Sequence, residues 1–237
     1  MNNIKINCIK CTIANIDKII YNLNMSVRKI KKSYLSCTGY FASYKNHSQI
    51  AFESVLERDL CMLLEFDSDV MSYEEQPMQI YYPYQDKNRR YTPDILVSYK
   101  DGTKKLIEVK YTSEFSKKPE LIEKFDILKS FFHKNYDLSF EIFTEKQINV
   151  QYLENLKFLY KFAFIPANAQ YISIINGIIQ QQDEISIKEI LHKITINKQK
   201  QLSFLPYVWN YIFQNFQTIQ SDFNKKLTMN TVVRKKG

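Results

Sequence analysis

The apolar positions of the chain change period several times, from helical spacing to alternation and back. Ile13, Ile16, Ile19, Ile20 and Leu23 share one face of a short amphipathic helix. Ser48 is a suitable N-cap, and Phe52, Val55, Leu56, Leu60, Leu63 and Leu64 then form an apolar stripe that predicts a helix to about Phe66. Glu53 and Glu57 both border this stripe on the same side, and periodicity does not choose between them. Residues 70–75 and 78–84 read as strands punctuated by Glu74-Glu-Gln-Pro77. Tyr91–Tyr99 and Leu106–Lys110 follow as two further strand runs around Lys100-Asp-Gly102. Helical spacing returns over 116–132, a strand pattern over 138–143, and helical spacing again from Gln147 to about Phe162. The order predicts an α/β layer: a mixed sheet flanked by helices, with the hairpin in its middle.

Pro166 and the polar residues near it mark a boundary. Beyond it, 167–179, 186–193 and 203–216 are helical patterns, and 218–223 and 227–233 are strand-like runs around Asn224-Lys-Lys226. Three helices and a hairpin suggest a winged-helix-like unit over 166–237. The chain then divides into a basic segment over 1–47, an α/β domain over 48–165 and this C-terminal unit.

The hairpin carries the candidate chemistry. A three-residue loop with glycine in the left-handed conformation places Tyr99 opposite Thr103, and counting outward sets Asp94 opposite Glu108. Paired residues share a face, and Lys110 joins them by the two-residue period. A two-residue loop at Asp101-Gly102 would instead split the acids across the sheet. Two adjacent carboxylates stay ionised together only beside a compensating cation, and a hard dication such as magnesium suits them because it leaves positions open for water and phosphate. A nearby lysine steadies the attacking water or the phosphate charge. Pro93-Asp94 followed by Glu108-Val-Lys110 resembles the pattern of PD-(D/E)xK nucleases.

Composition sharpens this picture. With 237 residues, 45% hydrophobic and 14% aromatic, the chain is long and apolar enough to bury a core. It has no run of about eighteen apolar residues and no signal-peptide pattern, so a cytoplasmic protein without a membrane span is expected. Only four glycines are present, which excludes glycine-rich phosphate-cradling loops. The net charge of +8 is uneven: +7 over residues 1–50, −5 over 51–150 and +6 over 151–237. Basic ends suit a phosphate backbone and an acidic middle suits cations. Arg28, Lys29, Lys31, Lys32 and Lys45, interleaved with tyrosines and phenylalanine, are candidate DNA contacts, as are Arg89 and Arg90 ahead of the hairpin. Cys8-x-x-Cys11 invites a zinc reading, but Cys37, His47 and Cys61 are too scattered to complete four ligands.

Gly39-Tyr-Phe-x-Ser-Tyr-Lys45, Phe52-Glu-Ser-x-Leu-Glu57-Arg-Asp59, Leu63-Leu-Glu-Phe-Asp67, Tyr73-Glu-Glu-Gln-Pro77, Arg89-Arg-Tyr-Thr-Pro-Asp94 and Ile107-Glu-Val-Lys110 together resemble the TnsA family, the endonuclease subunit of heteromeric cut-and-paste transposases. The resemblance is fullest over residues 28–165. It implies a restriction-endonuclease-like fold with a C-terminal winged-helix domain, and cleavage at the transposon 5′ ends using Mg2+, with Mn2+ as a substitute. It selects Glu57 over Glu53, beside Asp94, Glu108 and Lys110, as the site, with the Val109 carbonyl as a further metal ligand. It also implies two partners, a TnsB-like transposase and a TnsC-like AAA+ ATPase, besides transposon-end DNA. A stand-alone restriction-like or junction-resolving nuclease would share the site but cut without partners. A non-catalytic DNA-binding adaptor would bind no catalytic metal.

Overall fold

The computed structural model describes residues 37–235. Their contacts divide them into two units that interleave along the chain: among the described residues, 37–40, 50–57 and 71–143 form one, and 41–49, 58–70 and 144–235 the other.

In the first unit, β3 (Val70–Glu75), β6 (Ile95–Tyr99), β7 (Lys104–Val109) and β8 (Ser139–Phe143) form a four-stranded sheet in the order β3-β6-β7-β8. It is mixed: β6 and β7 are antiparallel, β7 and β8 parallel. A separate ribbon pairs β4 (Ile80–Tyr84) with β5 (Lys87–Tyr91). Before the sheet, β1 (Gly39–Ser43) pairs with β2 (Ser48–Phe52), and helix α1 spans Val55–Phe66. After β7 come α2 (Thr112–Lys117) and α3 (Glu120–Tyr136). Phe125, Leu128 and Phe132 form the inward stripe of α3 and pack in one core with Leu96, Leu106, Phe140, Tyr82 and Tyr91. Burying each such side chain contributes roughly 1.5–3 kcal/mol. The helix stops at Asp137, whose left-handed φ of 53° lets its N–H bond back to the last turn.

The hairpin has the register that a three-residue loop requires. Ile95 pairs with Ile107 and Ser98 with Lys104. Tyr99 N–H donates to Thr103 O (2.9 Å), Gly102 N–H to Tyr99 O (3.1 Å), and Gly102 sits at φ +87°. A Cβ there would meet nothing within 4 Å, so the demand is purely conformational. Gly102→Ala is expected to cost about 1 kcal/mol, read as a melting temperature lower by roughly 2–4 °C.

The N-terminal part of the predicted helix is corrected. Ser48–Phe52 is strand β2, and the cap is Ser54, whose hydroxyl oxygen accepts from Glu57 N–H at 3.1 Å. Ser54-x-x-Glu57 has capping-box spacing, and it outcompetes an N-cap at Ser48 because Ser48–Phe52 alternates as a strand. Strand β5 is a second difference. The strand run expected from Tyr91 to Tyr99 is split: Tyr91 closes β5 and β6 starts at Ile95, because Gln85 and Asp86 both adopt positive φ and close a two-residue turn that pairs Lys87–Tyr91 with β4.

The second unit holds most of α1, then α4 (Val150–Tyr160), α5 (Ala169–Gln180), α6 (Ile187–Ile194) and α7 (Lys198–Gln214). Short strands β9 (Ile185–Ser186), β10 (Ile219–Gln220) and β11 (Val232–Lys235) form a three-stranded sheet in the order β10-β11-β9. Its core includes Leu156, Leu159, Ile175, Ile187, Ile190, Leu191, Trp209 and Ile212. Buried Asn155 organises the loop before β11, donating to the carbonyls of Phe223 (2.7 Å) and Lys225 (2.8 Å) and accepting from Leu227 N–H (3.1 Å). Among the described residues no helix is long and apolar enough to cross a membrane.

Candidate active site

Asp94 and Glu108 project to the same face of the sheet, where both meet Lys110. The Lys110 ammonium lies 2.8 Å from Glu108 Oε1 and 3.6 Å from Asp94 Oδ2, and it donates to the Val109 carbonyl at 2.9 Å. Asp94 Oδ2 also accepts from Val109 N–H at 2.8 Å, which ties the start of β6 to the end of β7. Lys110 N–H in turn donates to Phe143 O at 3.0 Å, so the parallel strand β8 fixes the lysine's backbone.

Glu108 is only 4% exposed. Its second oxygen accepts a short hydrogen bond from the Tyr91 hydroxyl, itself buried at the end of β5. A buried carboxylate survives when both oxygens are satisfied, here by an ammonium and a phenol. Tyr91→Phe removes one of these donors and is expected to destabilise the protein by about 2 kcal/mol, measured by chemical denaturation.

The charges have clear consequences. Burial pushes the Asp94 carboxyl up to about 7, and the charge of Glu108 adds to this against the pull of Lys110. Burial works against the Lys110 ammonium, yet the Glu108 and Asp94 charges hold it above its ordinary value. Burial likewise raises Tyr91 well above the usual phenol range, with Glu108 adding to the effect. Burial also raises Glu57, opposed by a hydrogen bond from Glu53 N–H and reinforced by the charge of Asp94.

These residues line a cavity of about 520 Å³. Its wall carries five carboxylates, Glu53, Glu57, Glu75, Asp94 and Glu108, against three cations, Arg90, Lys110 and Lys124. The imbalance is two charges, which one divalent cation would neutralise. Asp94, Glu108 and the Val109 carbonyl supply hard oxygen donors around the Lys110 ammonium, a set that fits magnesium or manganese. The fit is to two carboxylates and a carbonyl: among the described residues no three His, Cys, Asp or Glu side chains are gathered as a metal-holding group. Glu57 faces the same cavity, but its oxygens are engaged by Glu53 N–H (2.8 Å) and the Ser54 hydroxyl (2.9 Å) at the start of α1.

Of the other sequence-predicted contacts, Arg90 lines the cavity and Arg89 is exposed beside it on β5. Lys45 lies in the second unit and donates to the carbonyls of Asp67 (2.6 Å) and Val70 (2.7 Å). Arg28, Lys29, Lys31 and Lys32 lie outside the described residues, as do Cys8 and Cys11. Cys37 is exposed and Cys61 buried, and among the described residues they form no disulfide.

Sequence reasoning missed three cavity residues. Tyr91 was legible as the single aromatic after the polar run Lys87–Arg90, an inward position at the end of a strand. Lys124 was legible as a cation on the apolar stripe of α3, adjoining Phe125 and one turn before Leu128. Gln76 gave no signal. It adopts φ 44°, donates its N–H to Asp94 O at 2.8 Å and its amide to Glu53 Oε1 at 3.3 Å, and leaves its buried side-chain oxygen without a partner.

Two family models match the chain, TnsA-like endonuclease N terminal over residues 67–145 and TnsA endonuclease C terminal over residues 147–219. Asp94, Glu108 and Lys110 fall within the first, and Glu57 precedes it. No curated protein matches the sequence.

Proposed function

The chain belongs to the TnsA endonuclease family, and from that premise we propose that it hydrolyses DNA phosphodiesters at the 5′ ends of a transposon during cut-and-paste transposition, using magnesium. The observation that carries this reading is the convergence of Asp94, Glu108 and Lys110 on one face of the hairpin, in a cavity with two more carboxylates than cations.

Asp94, Glu108 and the Val109 carbonyl would hold Mg2+, or Mn2+ in its place, with Glu57 as an added ligand or as acceptor for a bound water. When bound, the ion supplies a nucleophilic water at neutral pH and a Lewis acid for the phosphate oxygens. Lys110 holds the two carboxylates in register and positions the water that attacks phosphorus. Tyr91 keeps Glu108 oriented by donating to its second oxygen. The attacking water loses its proton to solvent, and the 3′ oxygen of the broken P–O bond takes one up.

The α/β unit is read as a restriction-endonuclease-like nuclease core. The order α5-β9-α6-α7-β10-β11, closing a three-stranded sheet, supports a winged-helix-like reading of the C-terminal region. A TnsB-like transposase and a TnsC-like AAA+ ATPase are the proposed partners, and Arg89 and Arg90 are proposed DNA contacts beside the cavity.

Strand-specific mapping tests the reading. Full-length protein, mixed with both partners, magnesium and end-labelled transposon DNA, is expected to release 5′ ends, and chelation is expected to stop it. Equal cleavage in chelator, or cuts without regard to the ends, would overturn it.

A further inference from the structure

Three cations wall the cavity, and one of them is already paired with carboxylates. Lys110 is engaged by Glu108, Asp94 and the Val109 carbonyl, which hold it at the metal-site end of the cavity. Lys124 is placed differently. It projects from α3, half-buried, with Nζ 5.0 Å from the centre of the Tyr91 ring and 5.3 Å from that of Phe125. Among the described residues no carboxylate lies within ion-pair distance of its ammonium. Burial and the charges of Glu108, Lys110, Asp94 and Lys118 act on it. An ammonium resting on aromatic faces is held in place while its N–H donors remain available on the open side. Here that side is the cavity itself.

We propose that Lys124 is a catalytic residue that contacts a non-bridging oxygen of the DNA phosphate entering this cavity, while Lys110 stays with the carboxylates. The assignment rests on the endonuclease reading above and adds the group that receives the substrate's charge. Without Lys124 the cavity wall sets five carboxylates against Arg90 and the already paired Lys110, a balance that repels an arriving phosphate. Lysine suits the task as a compact point charge that tolerates the changing geometry of a phosphoryl group. Tyr91 then serves two neighbours, its hydroxyl holding Glu108 and its ring face holding Lys124.

The test uses the full chain with its partner proteins and a transposon-end duplex. Binding is followed across a salt series for Asp94→Ala alone and for Asp94→Ala combined with Lys124→Gln, neither of which is expected to cut. Loss of one phosphate contact is expected to lower the slope of log affinity against log salt by about one and to weaken binding by about ten-fold at moderate salt. Lys124→Arg in the same background is expected to restore the slope. In the otherwise unchanged chain, Lys124→Gln should raise KM far more than it lowers kcat and leave magnesium affinity in place. An unchanged slope, or Lys124→Arg and Lys124→Gln behaving alike, overturns the assignment. If Asp94→Ala itself cuts the duplex, the endonuclease reading fails first and Lys124 falls with it. If Asp94→Ala is inert and the slopes coincide, Lys124 alone is wrong.

Discussion

Asp94→Ala is expected to lower cleavage of transposon-end DNA by at least about a thousand-fold while the protein remains folded. The reason is local. Asp94 is one of two carboxylates that meet Lys110, and its other bond, from Val109 N–H, is a single backbone contact at the end of β7. Its removal would take away a proposed metal ligand but relieves the crowding of negative charge against Glu108. Lys110→Ala is expected to be equally inactive and less stable. It strips the buried Glu108 of its ion-pair partner, a loss of about 3–5 kcal/mol for a pair broken from one side. The two inactive variants should therefore separate in a melting experiment, Asp94→Ala at or above the parent and Lys110→Ala well below it. Parental cleavage by Asp94→Ala would remove the basis of the mechanism.

The raised Asp94 carboxyl gives the second expectation, in pH. In the unfolded chain Asp94 ionises near 3.8, and in the folded metal-free protein at about 7. Below pH 4 it is protonated in both states and has no effect on stability. Between pH 4 and 7 the folded state holds a proton that the unfolded state has released, so stability falls with each unit of pH. Above 7 the penalty is complete and constant, on the order of 2–4 kcal/mol. Glu57, also raised, tilts the curve the same way. Magnesium should flatten this slope, because binding at the proposed site would require ionised Asp94 and release the proton. Asp94→Asn should flatten it without metal. Denaturation midpoints at pH 5 and pH 8, with and without magnesium, measure both effects. A metal-free parent more stable at pH 8 than at pH 5, with Asp94→Asn matching it, would contradict the assignment.

The parts of the site that a sequence can show are those set by local chemistry. Lys100-Asp-Gly102 fixes its own loop type, the loop fixes the register, and the register brings Asp94 to Glu108, so the central geometry follows from a few residues. The β4-β5 ribbon was less legible because its turn, Gln85-Asp86, adopts left-handed conformations without a glycine, and its second strand is polar almost throughout. The start of α1 was misplaced because Phe52 continues the apolar stripe of the helix in register, although it belongs to a strand. The capping-box spacing from Ser54 was the better signal. That misplacement matters for the site. On a helix from Ser48, Glu53 and Glu57 are equivalent, whereas in the structure Glu57 is the third residue of α1 and Glu53 lies before it, bonded by the Gln76 amide. The pairing of Lys124 with Tyr91 needed the fold, since only the packing of α3 against the β4-β5 ribbon brings residue 124 to the ring of residue 91.

The central claim is that Asp94 and Glu108 hold a divalent ion. Diffraction from crystals of the full chain soaked in manganese, recorded at the manganese edge, tests it most directly. An anomalous peak between the carboxylates of residues 94 and 108, lost in Asp94→Ala crystals, is the predicted result. A manganese peak elsewhere on the protein, with that position empty under saturating metal, would contradict it.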